Sequence, residues 1–327
     1  MTIARTRKVA LALALAAGMA LTVAPVAAQT FPQRPVQVIV PFAAGGAVDV
    51  VARSLADVLF RTWGQQPVID NRPGAGGIVA SQALVRAAAD GHTIMVVANG
   101  HPLNQFFYPS LPYDTYRDFT PITQIASSPL VISVAKNQTA ATLAALVETG
   151  QGKPGGVNYG VSGFGTSAHL AGVLIGAVMK RDMTPIPHRS GTQALQSVIT
   201  GDLPMSINPL LEALPQVRAG NVRAIAVTTA TRSPLLPDVA TAVEQGLPGF
   251  DTGVWWGIVA PAGLPAPILE KLSRDIAAAI ASPDLRQRLD MLGATAVASS
   301  PQDFQAFIRA EADKWGPVIR AANVKLE

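Results

Sequence analysis

The chain has 327 residues, 49% of them hydrophobic, with 25 Lys and Arg against 21 Asp and Glu and no cysteine; this length suffices for one large domain or two ordinary ones. Without cysteine there are no disulfides, no thiolate metal sites and no lipid-bearing cysteine, so stability has to come from the core. The four histidines lack the spacing of a zinc helix, and neither a metal nor a cofactor is expected.

Arg5, Arg7 and Lys8 precede an unbroken run of apolar and small residues from Val9 to Val23, and Val26-Ala27-Ala28 offers small residues for cleavage. The run is too short for a comfortable membrane span. Residues 1–28 therefore read as a secretory signal peptide cut near Ala28–Gln29, which predicts a soluble, non-lipidated exported product. Setting its three basic residues aside leaves 22 basic against 21 acidic residues. A chain so near neutrality carries no electrostatic footprint for nucleic acid.

Val36–Val40 is apolar and bounded by turn residues, which predicts a mostly buried strand of a parallel sheet. The glycine turn Pro41-Phe42-Ala43-Ala44-Gly45-Gly46 follows, and then Val48, Val51, Leu55, Val58 and Leu59 recur at helical spacing to Arg61. Pro67–Ile69 is a second short strand. It leads into a second glycine turn, Asn71-Arg72-Pro73-Gly74-Ala75-Gly76-Gly77, and a helix from Ile78 to Ala88. Thr93–Val97 is a third strand, and the alternation is that of a doubly wound α/β domain. Asn99–Pro121, rich in proline, reads as loop.

Strand character restarts at Leu130–Val134. A second α/β series follows: a helix at 142–148, a strand at 157–161, a helix at 166–180, a proline-marked edge strand at 184–187, a helix at 191–201, a strand at 205–207, a helix at 210–219 and a strand at 223–227. Val254–Val259 is a further strand. Helices at 268–281, 284–292 and 301–321 close the chain, each beginning at or just after proline or a turn residue.

The two glycine turns lie at the carboxyl ends of strands, where ligands sit in such sheets. Glycine allows backbone N–H groups to turn towards a ligand, and a helix N-terminus adds unpaired donors and the positive end of the dipole. A lone glycine more often only permits a tight turn. Two such turns in one domain point to contact between a carboxylate and Ala44, Gly45, Gly46, Gly74, Ala75, Gly76 and Gly77. Asp49 reads equally as a partner of its own helix dipole and as an acceptor for a ligand amine, hydroxyl or ordering water.

Ser162, Thr166 and Ser167 flank Gly163 and Gly165 at another helix start; capping is the plain reading and ligand contact the favoured one, with Gly165 beside them. His169, inside that helix, reads as a packed or hydrogen-bonded histidine. Arg189 is a candidate bidentate carboxylate clamp. Of Phe42, Phe106, Phe107 and Tyr108, Phe42 is the best placed to line a cleft. Asn99 and Asn208 complete the candidate contacts.

Enzyme readings are weaker. Gly160-Val161-Ser162-Gly163-Phe164 lacks the closing glycine of a nucleophile elbow. An esterase using Ser162 and His169 is the alternative function it leaves. Gly163-Phe164-Gly165-Thr166-Ser167-Ala168 fits a loose dinucleotide pattern without a well-placed acidic partner, and no Walker lysine follows either turn.

Taken together, PFAAGGAVDVVAR (Pro41–Arg53), NRPGAGG (Asn71–Gly77), DGHTIMV (Asp90–Val96), YGVSGFGTSAHLAG (Tyr159–Gly172), PLLPDVATAVEQGLPGF (Pro234–Phe250), WWGIVAPAGLP (Trp255–Pro265) and the Pro301–Trp315 segment resemble the periplasmic solute-binding receptors of tripartite tricarboxylate transporters, the Bordetella uptake gene (Bug) family. The resemblance spans nearly the whole chain after residue 28. It implies an α/β, two-lobed venus-flytrap fold of the type II periplasmic binding proteins, each lobe a small doubly wound domain. Lobe 1 would comprise residues 29–128 and 252–327, and lobe 2 residues 129–251.

The resemblance further implies that the early glycine turns, with ordered water, grip a ligand carboxylate. Lobe 2 would contribute the SGFGTSAH turn and the region around Ser206-Ile207-Asn208. The C-terminal helices would return to lobe 1, with Trp255–Trp256 in a crossover strand. A dicarboxylate, an aromatic acid or an acidic amino acid is the ligand class. Membrane permease subunits are the expected partners of a monomeric receptor, with a sensor kinase as the alternative. Two departures from the family pattern lie near the cleft: Ala43-Ala44 where relatives often carry proline, and Arg189-Ser190-Gly191 where they often carry Tyr-Lys-Gly.

Overall fold

A computed structural model describes residues 31–321; the signal peptide expected at 1–28 lies outside them. Strand β1 (Gln37–Val40) is the centre of a parallel trio, paired with β2 (Val68–Asn71) and β3 (Thr93–Val97). Its residues 38–40 are buried, as the apolar run requires. The helix Ala47–Trp63 covers this sheet with Val48, Val51, Leu55, Val58 and Leu59 inward. It stops at Gly64, whose left-handed backbone (φ 64°) returns an N–H to Phe60 O.

Two segments correct the sequence reading. The loop expected at Asn99–Pro121 contains a helix, Gly100–Phe107. Pro102 sits in its first turn, where a missing N–H removes no helical hydrogen bond. The strand expected at Leu130–Val134 is the end of a much longer one, β4 (Phe119–Ala135). Its prolines hid it: Pro121 lies at a register shift, and Pro129 is the last residue paired in the first sheet. Proline is tolerated at such breaks in a ladder.

β4 belongs to both sheets. Residues 119–129 run antiparallel to β9 (Gly253–Pro261), which is itself antiparallel to β3. From Leu130 onward β4 pairs with β7 (Met205–Pro209) and β8 (Val222–Val227). The second sheet repeats the plan of the first: β5 (Val157–Val161) is flanked in parallel by β6 (Met183–Pro187) and β7, with β4 beyond. β6 is an edge strand, as its prolines predict. A short β10 (Thr295–Ala296), not anticipated, adds to the outer side of β4. The result is the two-lobed α/β fold expected from the sequence.

Each sheet has its own core. Ile39, Met95, Val97, Trp255 and Val259 of the first pack against Phe304 and Ile308 of the C-terminal helix Pro301–Ala321. Gly257 makes room for the Phe304 ring, which a Cβ there would overlap. In the second, Val131 and Val227 pack against Leu210 and Leu214 of the helix Leu210–Arg218. A third cluster bridges the sheets, joining Leu103, Phe107, Trp315 and Ile319 to Leu170 of the helix Ser167–Met179.

The chain crosses between sheets at Pro129–Leu130 and again before β9. Thr228 ties the two crossings together. Its hydroxyl accepts from Leu130 N (3.0 Å) and donates to Thr252 O (2.7 Å), while its backbone N–H donates to Leu130 O and its carbonyl accepts from Thr252 N, both at 3.0 Å. Thr228 is fully buried. Thr228→Val keeps the shape and the backbone bonds but strips a donor and an acceptor of their partner. It is expected to lower unfolding free energy by about 1–3 kcal/mol, read from urea denaturation midpoints at unchanged slope.

Candidate functional site

Between the sheets lies a cavity of about 60 Å³. Its wall contains the N-cap residues of six helices: Gly46, Gly77, Asn99, Thr166, Ser190 and Pro209. The first three belong to elements of the first sheet and the last three to the second. Each N-terminus carries N–H groups without intrahelical partners and the positive end of a dipole. Among the described residues no lysine or arginine lines the cavity, and Glu212 is the one acidic residue that does.

The chain folds this way locally because each turn leaves a strand and enters a helix within a few residues, which demands left-handed backbone. Gly45 (φ 81°), Gly76 (φ 60°), Gly77 (φ 96°) and Gly165 (φ 74°) supply it. Glycine also lets the two sides meet. A Cβ at Gly100 would lie 3.2 Å from Gly76 O and 3.3 Å from Gly165 O, so backbone faces backbone across the cavity floor. Asn104 Nδ2 donates to Gly76 O at 3.2 Å.

The first glycine turn differs from an open cradle. Gly45 N donates to Asp49 Oδ2 (2.9 Å) and Ala47 N donates to Glu212 Oε1 (2.8 Å). Asp49 also accepts from Arg53 Nε (2.9 Å) and Asn71 Nδ2 (3.0 Å). Burial alone would raise the Asp49 carboxyl, but the hydrogen bonds from Arg53, Gly45 and Asn71 outweigh it and hold the group below the usual range. Through these bonds Asp49 braces its own turn, and it is not among the residues lining the cavity.

Of the residues singled out from sequence, Phe42, Gly46, Gly76, Gly77, Asn99, Ser162, Gly165, Thr166 and Ser167 stand on the cavity wall. Ala44, Gly45, Gly74 and Ala75 are on the exposed outer side of their turns, and Arg189 is exposed as well. The structure does not bring Arg189 to the cavity; its neighbour Ser190 is there instead. Asn208 is fully buried behind the wall, its amide donating to Gly191 O (2.8 Å) and Glu212 Oε2 (3.2 Å). Asn99 is on the wall but its side chain is engaged structurally: Nδ2 donates to Gly253 O (3.1 Å) and Oδ1 accepts from Trp255 N (3.2 Å), pinning the start of β9. Phe107 packs in the bridging cluster, with Phe106 and Tyr108 against it.

Sequence reasoning missed Glu212, His101, Asn104, Ser190 and Trp256, all on the wall. Glu212 falls in the first turn of its helix, where an acidic residue looks like dipole complementation of that helix alone. His101 and Asn104 lie in the stretch read as loop. Within the wall, the side-chain atoms His101 Nδ1, Asn104 Oδ1 and Trp256 Nε1 are buried without a hydrogen-bond partner.

His169 is the hydrogen-bonded core histidine the sequence suggested. Its Nδ1 accepts from Gly165 N (3.1 Å), and its carbonyl accepts from Tyr159 OH (3.1 Å). The lone pair an esterase base would need is thus occupied. Among the described residues no group of three His, Cys, Asp or Glu is placed to hold a metal, and no helix is long and apolar enough to cross a membrane.

Residues 51–324 match the family model described as the tripartite tricarboxylate transporter family receptor. Among solved structures, the adipate complex of Rpa4515 from R. palustris is similar at 34% identity and TM-score 0.86, covering 90% of this chain and 100% of that one. The malate-bound MatC of Rhodopseudomonas palustris is similar at 34% identity and TM-score 0.84, over 88% and 100%. The periplasmic binding protein BugD is similar at 30% identity and TM-score 0.86, over 90% and 100%.

Burial pushes both His101 and His169 down from 6.5 to about 4. The unfolded chain takes up these protons below about pH 6.5 while the folded one does not. Stability is therefore expected to fall as pH drops from about 6.5 towards 4. Urea midpoints measured at about pH 7 and pH 5 should differ, with the lower value at pH 5, and His169→Gln should shrink the difference. Equal midpoints would contradict this account.

Proposed function

Because the chain belongs to the tripartite tricarboxylate transporter receptor family, we propose that it is a periplasmic solute-binding receptor that captures one small organic carboxylate between its lobes and hands it to a membrane permease. The observation that carries this reading is the convergence of six helix N-caps on one cavity that has no lysine or arginine among its described wall residues. Such a wall attracts an anion through backbone dipoles and N–H donors. It offers no counter-ion that would make release slow. Donors fixed in the backbone also lose little conformational entropy on binding.

Size is consistent with this. At about 10–15 Å³ per water, the cavity has room for about four to six water-sized groups, the scale of one small acid. The solved neighbours at 34% identity hold adipate and malate, which supports a carboxylate as the ligand class. In this reading the second glycine turn (Gly76, Gly77) and the Ser162–Ser167 turn share the carboxylate. Phe42 and Trp256 form the apolar side of the pocket, and capture requires no chemical step.

Lobe 1 is taken as residues 29–128 and 252–327, and lobe 2 as 129–251. Opening would hinge at the two crossings that Thr228 ties together. The closed form, with the two sets of turns in contact, is what a permease would meet.

A panel of mono- and dicarboxylates, aromatic acids and neutral sugars tests the proposal by thermal shift. At least one carboxylate should raise the melting temperature; a ligand at a hundred times its Kd adds about 2.7 kcal/mol. Stabilisation by sugars and by no carboxylate would overturn it.

A further inference from the structure

Among the described residues Glu212 is the one acidic side chain on the wall, which carries no lysine or arginine. It projects from the second lobe, and its Oε1 accepts from Ala47 N at 2.8 Å. It therefore occupies the N-terminus of the Ala47–Trp63 helix, an anion seat of the first lobe. Its Oε2 accepts from Asn208 Nδ2 at 3.2 Å. The seat is built for it: a Cβ at Gly191 would overlap the carboxylate. Burial pushes the Glu212 carboxyl up, while the N–H groups of Ala47 and Asn208 pull it back towards the charged form.

A ligand carboxylate is therefore left with the other N-termini, on the second glycine turn and the Ser162–Ser167 turn. A second carboxylate on the same small ligand would share the cavity with Glu212, with no guanidinium or ammonium among the described wall residues to offset the repulsion. A hydroxyl or ammonium there meets an acceptor instead. We propose that Glu212 sets the charge of the ligand, so that the receptor takes a monocarboxylate carrying a hydrogen-bond donor near Glu212 and rejects dicarboxylates of the same length. This rests on the receptor reading above and narrows it.

The test is titration calorimetry on the full mature chain with two matched series: succinate, 4-hydroxybutyrate and butyrate, then adipate, 6-hydroxyhexanoate and hexanoate. In the series that fits, the hydroxy acid should bind about tenfold or more tighter than the diacid, with the plain acid between them. Glu212→Gln and Glu212→Ala should bring diacid and hydroxy acid within about threefold of each other, chiefly by tightening the diacid.

A diacid that binds the wild type as well as or better than its hydroxy acid overturns the inference and leaves the carboxylate receptor intact; a protonated, donating Glu212 would give that result. A preference that survives unchanged in both variants overturns it too. Failure of every carboxylate, here and across the thermal-shift panel, removes the receptor reading itself. Should neither variant fold, the wild-type ranking alone decides.

Discussion

One hydrogen bond organises much of this molecule: the Ala47 N–H of one lobe donating to the Glu212 carboxylate of the other. A helix N-terminus presents donors that its own helix cannot satisfy. At the protein surface, water takes them. At Ala47, which is buried, something else must. Glu212 reaches across, and Asn208 and the side-chain-free Gly191 hold it there. The bond joins the two sheets at the cavity wall and gives that cavity the one acidic group among its described residues. Burying a carboxylate is costly unless its oxygens are hydrogen-bonded, and here one N–H reaches each oxygen.

Besides the hydrogen bonds from Thr192 Oγ1 to Gly45 O (3.4 Å) and from Lys314 Nζ to Asp251 O (3.0 Å), the other contacts between the lobes include two kinds. Glycine backbones meet at Gly76, Gly100 and Gly165, where any side chain would hold the lobes apart. Apolar side chains meet in the cluster that joins Leu170 to Phe107, Trp315 and Ile319. Neither involves a long hydrogen-bond ladder. The ladders run within each lobe and through β4 and β9, so the stiff connection is confined to the crossings at Leu130, Thr228 and Thr252. A molecule built like this separates a strong, permanent tie at the crossings from weaker, divisible contacts around the cavity. That is the mechanical arrangement hinge closure requires.

Much of the fold was legible because parallel strands buried on both faces leave continuous apolar runs, and because the turns after them need glycine. β1, β3 and β5 were read close to their observed limits, as was the Ala47–Trp63 helix. What failed was proline. Pro121 and Pro129 concealed more than half of β4, and Pro102 concealed a helix, since a single sequence does not say whether a proline ends an element or sits at a permitted break. At the site, the glycines that face the cavity could be found because their conformation is local. Arg189 and Glu212 could not be sorted, since whether a charged side chain turns inward depends on a partner lobe over a hundred residues away in sequence. Asp49 shows the same limit from the other side. Its partners Gly45 and Arg53 are within one helical turn, and that local role was one of the two the sequence allowed.

A wall made of helix N-termini has a consequence for selectivity that a wall of arginines lacks. Guanidinium groups bring formal charge and a planar fork, so they choose carboxylates strongly and hold them through paired bonds. Dipole ends bring partial charge that fades within a turn, and they cannot compensate a second anion a few ångströms off their axis. The charge a cavity of this kind tolerates is then decided by whichever formal charges remain on its wall. Among the described residues the one acidic group there is Glu212, held by the N–H groups of Ala47 and Asn208, while burial keeps His101 neutral near pH 7. Exchanging Glu212 for a neutral side chain that still accepts from Ala47 N, such as Gln, therefore alters the net charge of the site while keeping the bond that braces the first of the glycine turns that shape it. On a fold where those turns are fixed by backbone geometry, ligand charge and ligand shape are set by separate residues and can change independently.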